Sequence, residues 1–335
     1  MLSFSIVIPC RNEEKYIEKC INSILTQNYP KEKIEILICD GNSSDSTVEI
    51  IENLGSEHSS INLFHNNEQT TPFALNLGIK NSNKEVIIIL GAHSELDANY
   101  LLNCDLEFQK DHNAACIGGV LENVYENQQS EIIGKAMSSP FGVGNAHFRT
   151  GEKSGFVDTV AFGAYKREVF DEVGLFDVEL ARNQDDEFNY RMTANGYKIY
   201  LSKMLKVKYY VRSSFKNLIR QYYQYGYWKV FVNKKYKVIT SIRQLIPFVF
   251  VLFLCSLPLF VYFKIPEIFG AIILFYGTLA IYSAKKVASS FLSIPSIVFT
   301  FFILHFSYGF GYLEGVFNFL FLGRNPKKSS RTSSR

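Results

Sequence analysis

Three short stretches carry residue types that do chemistry. Pro9-Cys10-Arg11-Asn12-Glu13 and Asp40-Gly41-Asn42-Ser43-Ser44-Asp45 each follow a β-rich run. A carboxylate at a strand end accepts hydrogen bonds from a base N–H or a ribose hydroxyl, and a nearby arginine balances phosphate charge. Asp45 also suits a helix cap, because Val48, Ile51 and Leu54 follow at helical spacing; the two roles are compatible. The second stretch, Gly91-Ala92-His93-Ser94-Glu95, closes the apolar run Val86–Leu90. Its imidazole is either structural or a metal ligand, with Glu95 as a second contributor in the latter case. The third, Asn183-Gln184-Asp185-Asp186-Glu187-Phe188-Asn189-Tyr190-Arg191, sets three acids in succession. Adjacent carboxylates raise one another's pKa, which helps a base, while Asp186 also suits a cap.

The elements that must position these residues alternate along the first 200 positions. Phe4–Ile8 and Ile34–Cys39 are of strand length, and Ile17, Ile21, Ile24 and Leu25 between them recur at helical spacing. A third strand fits Ile61–His65, Pro72 opens the helix after it, and Val86–Leu90 reads as a buried central strand. This is the pattern of an α/β fold with a mostly parallel sheet, in which ligands gather beyond the carboxyl ends of the strands. Pro9–Glu13, Asp40–Asp45 and Gly91–Glu95 then share one rim. Residues 139–155 are loop-like, either facing substrate or simply connecting. Val157–Phe162 reads as a strand, Lys166–Val173 as a helix ended by Gly174, and Glu187–Ala194 as a helix ended by Gly196.

Charge is unevenly spread over the 335 residues. Residues 1–202 hold 16 Lys/Arg against 30 Asp/Glu, whereas residues 203–243 hold 11 Lys/Arg and no acid. Residues 244–322 carry only Lys264, Glu267, Lys285, Lys286 and Glu314, and the tail adds five basic residues. A basic run beside an apolar block points to an anionic membrane surface and away from nucleic acid. Leu245–Phe263 is an uncharged stretch of spanning length and Pro266–Ala284 a second. Phe291–Leu322 fits a hairpin breaking near His305–Gly311 or one span followed by an interfacial helix. Lys285, Lys286 and the tail favour the cytosolic side. The N-terminus lacks a basic segment and its apolar run is short for a signal peptide, so the acidic domain is expected in the cytoplasm. The six cysteines show no metal-binding spacing.

The stretches SIVIPCRNEEKYIEKCINSIL, EILICDGNSSDSTVEII, PFALNLGI, VDTVAFGAYKREVFDEVGLFD and NQDDEFNYRMTANGYKI together resemble glycosyltransferase family 2, which has the GT-A fold. NQDDEFNYR with RQYYQYGYWK is similar to the succinoglycan-biosynthesis (ExoA-like) branch. The resemblance covers roughly residues 3–230. It implies that Pro9, Arg11, Glu13, Asp40 and Asp45 line a nucleotide pocket, usually for uridine diphosphate. It aligns His93 with the last metal ligand of an Asp-x-Asp motif whose first acid is here Gly91, implying a divalent cation, Mn²⁺ or Mg²⁺. It makes Asp185 the base, with Gln184 in place of the usual Glu and Asp186 and Arg191 lining the site. Gln221, Tyr225 and Trp228 occupy the position of the Gln-x-x-Arg-Trp element of membrane synthases, where they contact acceptor or anchor the helix at headgroups.

The expected organisation is a cytosolic GT-A domain (1–212), a basic aromatic interfacial segment (213–243), a transmembrane region (244–323) and a basic tail (324–335). The expected activity is inverting transfer of a hexose from a nucleotide sugar to a polyprenyl-diphosphate-linked oligosaccharide, for exopolysaccharide or surface glycan. The site is expected on the cytoplasmic side of a multi-pass protein of the inner (cell) membrane. Alternatives are a polyprenyl-phosphate sugar synthase and a catalytically silent assembly scaffold.

Overall fold

The computed structural model describes residues 1–110, 113–151, 153–240 and 242–324. In chain order its elements are β1 (Phe4–Cys10), α1 (Ile17–Leu25), β2 (Ile34–Asp40), α2 (Thr47–Glu57), β3 (Ile61–His65), α3 (Thr71–Asn81), β4 (Val86–Ile89), β5 (Ser94–Leu96), α4 (Tyr100–Phe108) and β6 (Cys116–Val124). There follow α5 (Gln128–Met137), α6 (Pro140–Val143), α7 (His147–Thr150), β7 (Gly155–Val157), β8 (Ala164–Lys166), α8 (Arg167–Val173), α9 (Gln184–Ala194) and β9 (Ile199–Tyr210). The helices α10 (Phe215–Tyr236), α11 (Ile246–Cys255), α12 (Leu257–Tyr262), α13 (Pro266–Val287) and α14 (Ile294–Gly315) complete it. They form two compact units: Met1–Asn123 with Gly151–Tyr210, and Val124–Thr150 with residues 211–324.

In the first unit the strands order as β3-β2-β1-β4-β8-β6-β9-β5, with β7 on β9. The half from β3 to β4 is parallel, as the alternation of apolar runs and amphipathic helices requires. Beyond β4 the partners of β8 are antiparallel, and β9 receives β5 and β7 antiparallel, so the sheet is mixed. Every residue of β2 is buried, and α1 presents Ile17, Cys20, Ile21 and Ile24 to the interior. Burying each such Val or Ile side chain contributes roughly 1.5–3 kcal/mol. The strand expected over Val157–Phe162 is shorter: β7 stops at Val157 and β8 begins at Ala164. Phe162 between them has φ +51°, a left-handed conformation that no strand continues through.

The second unit is helical. The uncharged stretch expected to span from Leu245 to Phe263 is broken at Ser256 into α11 and α12, because Pro258 supplies no N–H to continue the ladder. Among the described residues, two helices are long and apolar enough to cross a membrane: Pro266–Val287 and Phe291–Phe321. The second runs without a break at 305–311, which removes the hairpin, and it ends in a π-helical turn at Val316–Phe321. Leu274, Phe275, Ile281 and Tyr282 stand exposed on α13, a face that water would not tolerate but hydrocarbon does. Residues 139–155, expected as loop, carry the one-turn helices α6 and α7, the first capped by Ser139. Beyond Arg324 the basic tail lies outside the described residues.

The helices α10 and α14 approach closely enough that a Cβ at Gly311 would stand 2.0 Å from the Tyr223 carbonyl oxygen, and one at Gly226 would stand 1.9 Å from that of Tyr308. Trp228, expected at the acceptor or the headgroups, is instead 1% exposed in this unit, edge-on to Phe231 at 5.9 Å. Its place on α10 accords with this: Gln221 and Val232, seven residues before and four after it on the same side of the helix, are buried too. Gln221 is also buried, and its amide donates to the Tyr225 hydroxyl at 2.7 Å. Gly311→Ala is expected to cost about 1–3 kcal/mol, the usual range for overpacking, as a lowered thermal midpoint in detergent. An unchanged midpoint would mean the two helices separate freely.

Candidate active site

The rim is built from the strand ends. Cys10 and Asp40 are paired in register, so the loops after β1 and β2 leave the sheet side by side. They are then stitched together. The Asn12 N–H donates to Ser43 Oγ at 2.8 Å, and Asn12 Oδ1 accepts from the Ser44 N–H at 2.8 Å. Glu13 N–H donates to Thr47 Oγ1 at 2.8 Å, while the Ser46 N–H donates to Glu14 Oε2 at 3.0 Å. Asn12 and Asn42 both sit at positive φ, 54° and 57°, where asparagine is better tolerated than most residues.

Asp40 is 1% exposed. Its Oδ2 accepts from the Ser43 N–H at 3.0 Å, and its Oδ1 accepts from the Ser43 hydroxyl and, at 3.7 Å, from the Cys10 thiol. Burial and the Asp40 charge push the Cys10 thiol up, so it stays a donor. Asp40 thus holds the shape of the loop from below. Asp45 precedes α2 and does capping work: Oδ1 accepts from the Thr47 N–H at 3.1 Å and from its hydroxyl, and Oδ2 from the Glu14 N–H at 3.3 Å. Burial raises the Asp45 pKa, but the hydrogen bonds from Thr47 and Glu14 outweigh it and leave the carboxyl below its ordinary value. Pro9 is part of β1. Arg11 lies over Gly41, its Cβ and Cδ each 3.5 Å from where a glycine Cβ would be, and it makes no ion pair or hydrogen bond among the described residues.

Glu13, 4% exposed, faces His93, with 3.5 Å between Oε1 and Nδ1. This contact joins the loop after β1 to the loop after β4. The His93 ring also meets Tyr209 edge-on at 5.3 Å. At 3.5 Å, longer than a formed hydrogen bond, the carboxylate faces the Nδ1 edge of the ring and leaves Nε2 as the candidate nitrogen for a metal. Glu95 does not share that arrangement: its carboxylate accepts from the Tyr210 hydroxyl and lies 3.6 Å from Lys208 Nζ. At Gly91 an added Cβ would stand 2.9 Å from the Phe162 ring, so the first acid of the motif is missing where an aromatic ring occupies its space.

The acidic cluster opens α9. Asn183 precedes it at φ +62°, Gln184 is its first residue, and Asp185, Asp186 and Glu187 lie in its first turn. Asp185 is exposed, and its Oδ1 accepts from the Asp186 N–H at 2.9 Å; Glu187 is fully buried. Arg191, expected to line the site, commits its guanidinium inward to Glu187 at 2.6 Å and to the carbonyls of Val173 and Leu175 at 2.7 Å. Asn189 donates to Thr159 Oγ1 at 2.9 Å and accepts from the Tyr165 hydroxyl at 3.2 Å. Tyr165 belongs to β8, whose antiparallel register with β4 ties α9 to the strand leading to His93. Gln221, Tyr225 and Trp228 belong to the other unit.

Phe162, Thr47 and Ser43 are the contributors that motif reading passed over. Phe162 had a signal, an aromatic residue in a stretch of the resemblance together with a glycine at the first acid position. A cleft of about 680 Å³ bordered by Glu85, Asp105 and Arg167 lies at the opposite ends of β1 and β4 and includes none of these residues.

Loops bearing Arg11, Asp40 and His93 gather at the carboxyl ends of the parallel strands, and likeness to known proteins gives the class. The model for glycosyl transferase family 2 matches residues 5–174, and the chain belongs to that family. It is a glycosyltransferase. A dolichyl N-acetyl-alpha-D-glucosaminyl phosphate 3-beta-D-2,3-diacetamido-2,3-dideoxy-beta-D-glucuronosyltransferase from Methanococcus voltae is 36% identical over 76% of this chain and 80% of its own length. The succinoglycan biosynthesis protein ExoA of Rhizobium meliloti is 26% identical over 72% of this chain and 73% of its own. A mannosyltransferase from Pyrobaculum calidifontis, solved with GDP-Man and Mn²⁺, shares the fold with a TM-score of 0.62 at 16% identity, over 91% of this chain and 87% of that one.

The lowered Asp45 pKa gives a pH test. The group binds protons less readily folded than unfolded, so its contribution is present above the unfolded pKa and is lost as pH falls through the folded one. Asp45→Asn is expected to lower the thermal midpoint at pH 7, with the gap to wild type narrowing only below the ordinary carboxyl value of 3.8. A gap that is constant across that range would show that the hydrogen bonds survive protonation.

Proposed function

We propose that this chain moves a hexose-class sugar from a uridine diphosphate donor, with inversion, to a hydroxyl of a saccharide carried on a polyprenyl phosphate or diphosphate. The observation that carries the reading is the rim: Arg11 lies over Gly41 and His93 meets Glu13 on stitched strand-end loops, with an acid-rich helix tied to the same central strand. The acceptor class follows the Methanococcus voltae relative, whose name specifies a lipid-phosphate-linked sugar. The donor class is supported by solved structures of S. aureus TarS with UDP and with UDP-GlcNAc, which share the fold at TM-scores of 0.50 and 0.51. The helices Pro266–Val287 and Phe291–Phe321 anchor the protein as a multi-pass protein of the inner (cell) membrane, with residues 1–212 on the cytoplasmic side and the basic segment 213–243 toward anionic headgroups.

In this reading Asp185 takes the proton from the acceptor hydroxyl as that oxygen bonds to the anomeric carbon. The bond from that carbon to the diphosphate breaks, and the nucleoside diphosphate leaves with the electron pair. Arg11 offers its charge to the phosphates, and the buried Asp40 keeps the loop beneath the nucleotide in shape. The described residues contain no group of three His, Cys, Asp or Glu that would hold a metal by themselves. A single imidazole set by Glu13 nevertheless fits a divalent ion whose remaining ligands are diphosphate oxygens, and favours Mn²⁺ over the harder Mg²⁺. Such an ion, when bound, neutralises charge on the leaving diphosphate.

Transfer of radiolabel from nucleotide sugars to the lipid fraction, by purified protein in detergent, tests the activity. Asp185→Asn is expected to fold normally and to lose transfer by orders of magnitude; comparable turnover would move the base to Asp186. His93→Ala is expected to lose both most of its activity and its response to added Mn²⁺. A variant that keeps full activity and the metal response would remove the ligand role.

A further inference from the structure

Phe162 does nothing in the mechanism above, yet the fold spends several features on placing it. Its φ of +51° is unfavourable for an aromatic residue, typically by about 1–2 kcal/mol. Its carbonyl oxygen accepts from the hydroxyl of Tyr100 at 3.3 Å, and Tyr100 itself is wholly buried. The next residue is Gly163, where a Cβ would stand 2.7 Å from the Tyr165 ring and 2.9 Å from Cys116 Sγ. The backbone is therefore locked on both sides of Phe162. The result is a half-buried ring lying across Gly91, at the carboxyl end of the central strand and two residues from His93. From the same segment, Thr159 is bonded to Asn189 of α9, the helix that carries Asp185. Phe162 thus lies along the chain of contacts between the residue assigned to the diphosphate and the helix assigned to the base. What lies between a diphosphate and the base in this reaction is the sugar being transferred.

We propose that Phe162 is a sugar-contacting residue: its ring packs against the apolar C–H face of the transferred sugar and helps set which donor is accepted. The inference rests on the reading given under Proposed function. Gly91 and Phe162 are one device in this account. Without the Cβ at 91 the ring reaches over the strand end, and with the ring there a carboxylate at 91 has no room. An aromatic face exchanges the electrostatic hold of an acid for a shape- and polarity-dependent contact, which discriminates between sugars by their C–H and hydroxyl faces.

The test is calorimetric titration of the full-length protein in detergent, with UDP alone and with the UDP-sugar that supports transfer. The variants are Phe162→Ala, Phe162→Leu and Phe162→Tyr, each checked for a wild-type thermal midpoint. Phe162→Ala is expected to bind UDP as wild type does while its affinity for the UDP-sugar falls about tenfold, equivalent to about 1.4 kcal/mol. Phe162→Leu, which keeps bulk without a flat face, is expected to share that loss, and Phe162→Tyr to restore binding. Equal weakening of UDP and UDP-sugar would make the ring a structural support, and unchanged affinity for both would leave it no contact; either result overturns the proposal. If wild type binds no nucleotide sugar, the proposed function itself falls and this inference with it, a result separate from the other two.

Discussion

A carboxylate shut away from water needs a partner, and at this site the partner of Glu13 includes the imidazole of His93. That one contact couples two loops that the sheet alone would leave independent, the loop after β1 and the loop after β4. In the proposed function it also orients the imidazole, and an imidazole oriented by a carboxylate is a better metal ligand than one that rotates. The remaining parts of the rim serve the same geometry. Register pairs Cys10 with Asp40, and Asn12, Ser43, Asp45 and Thr47 close the loops around Glu13. Thr47 has no exposed surface, so the acceptor that fixes the Glu13 backbone is itself held rigid.

The sheet divides the labour. Its parallel half, β3-β2-β1-β4, gathers the strand ends that lead to Arg11, Asp40 and His93, as doubly wound folds do. Its antiparallel half begins at β8, which brings α9 and its acids against the same central strand through Tyr165 and Asn189. Arg191 and the buried Glu187 lock α9 to the loop at Val173 and Leu175, which leaves Asp185 at an exposed helix start. An ion pair of that kind is costly to break, because either partner alone would be a buried charge. It positions the helix and stays out of the chemistry.

The parallel strands, the helices between them and the rim segments were legible because period-2 and period-3.6 patterns, with strand-end polar residues, report local structure directly. The antiparallel pairing of β8 was not, since three residues carry it and the register is set by tertiary packing. Arg191 and Trp228 matched motifs in type and spacing, yet Arg191 turns to Glu187 and Trp228 is buried, edge-on to Phe231. Sequence spacing gives a residue's place on a helix but not which neighbour covers that face. Phe162 was hidden for a related reason: in a run that reads as strand, nothing local announces a left-handed φ. The break at Ser256 could have been read from Pro258, whose missing N–H interrupts a helix whatever the hydropathy around it.

The central claim is that a nucleotide diphosphate binds beside Arg11 and the Glu13–His93 pair. The most direct measurement is a structure of the full chain with the donor's nucleoside diphosphate and Mn²⁺, the metal located by its anomalous scattering. The account predicts a metal peak within bonding distance of His93 Nε2, shared with diphosphate oxygens. A peak at Asp185 and Asp186, or a diphosphate bound away from the ends of β1, β2 and β4, would contradict it.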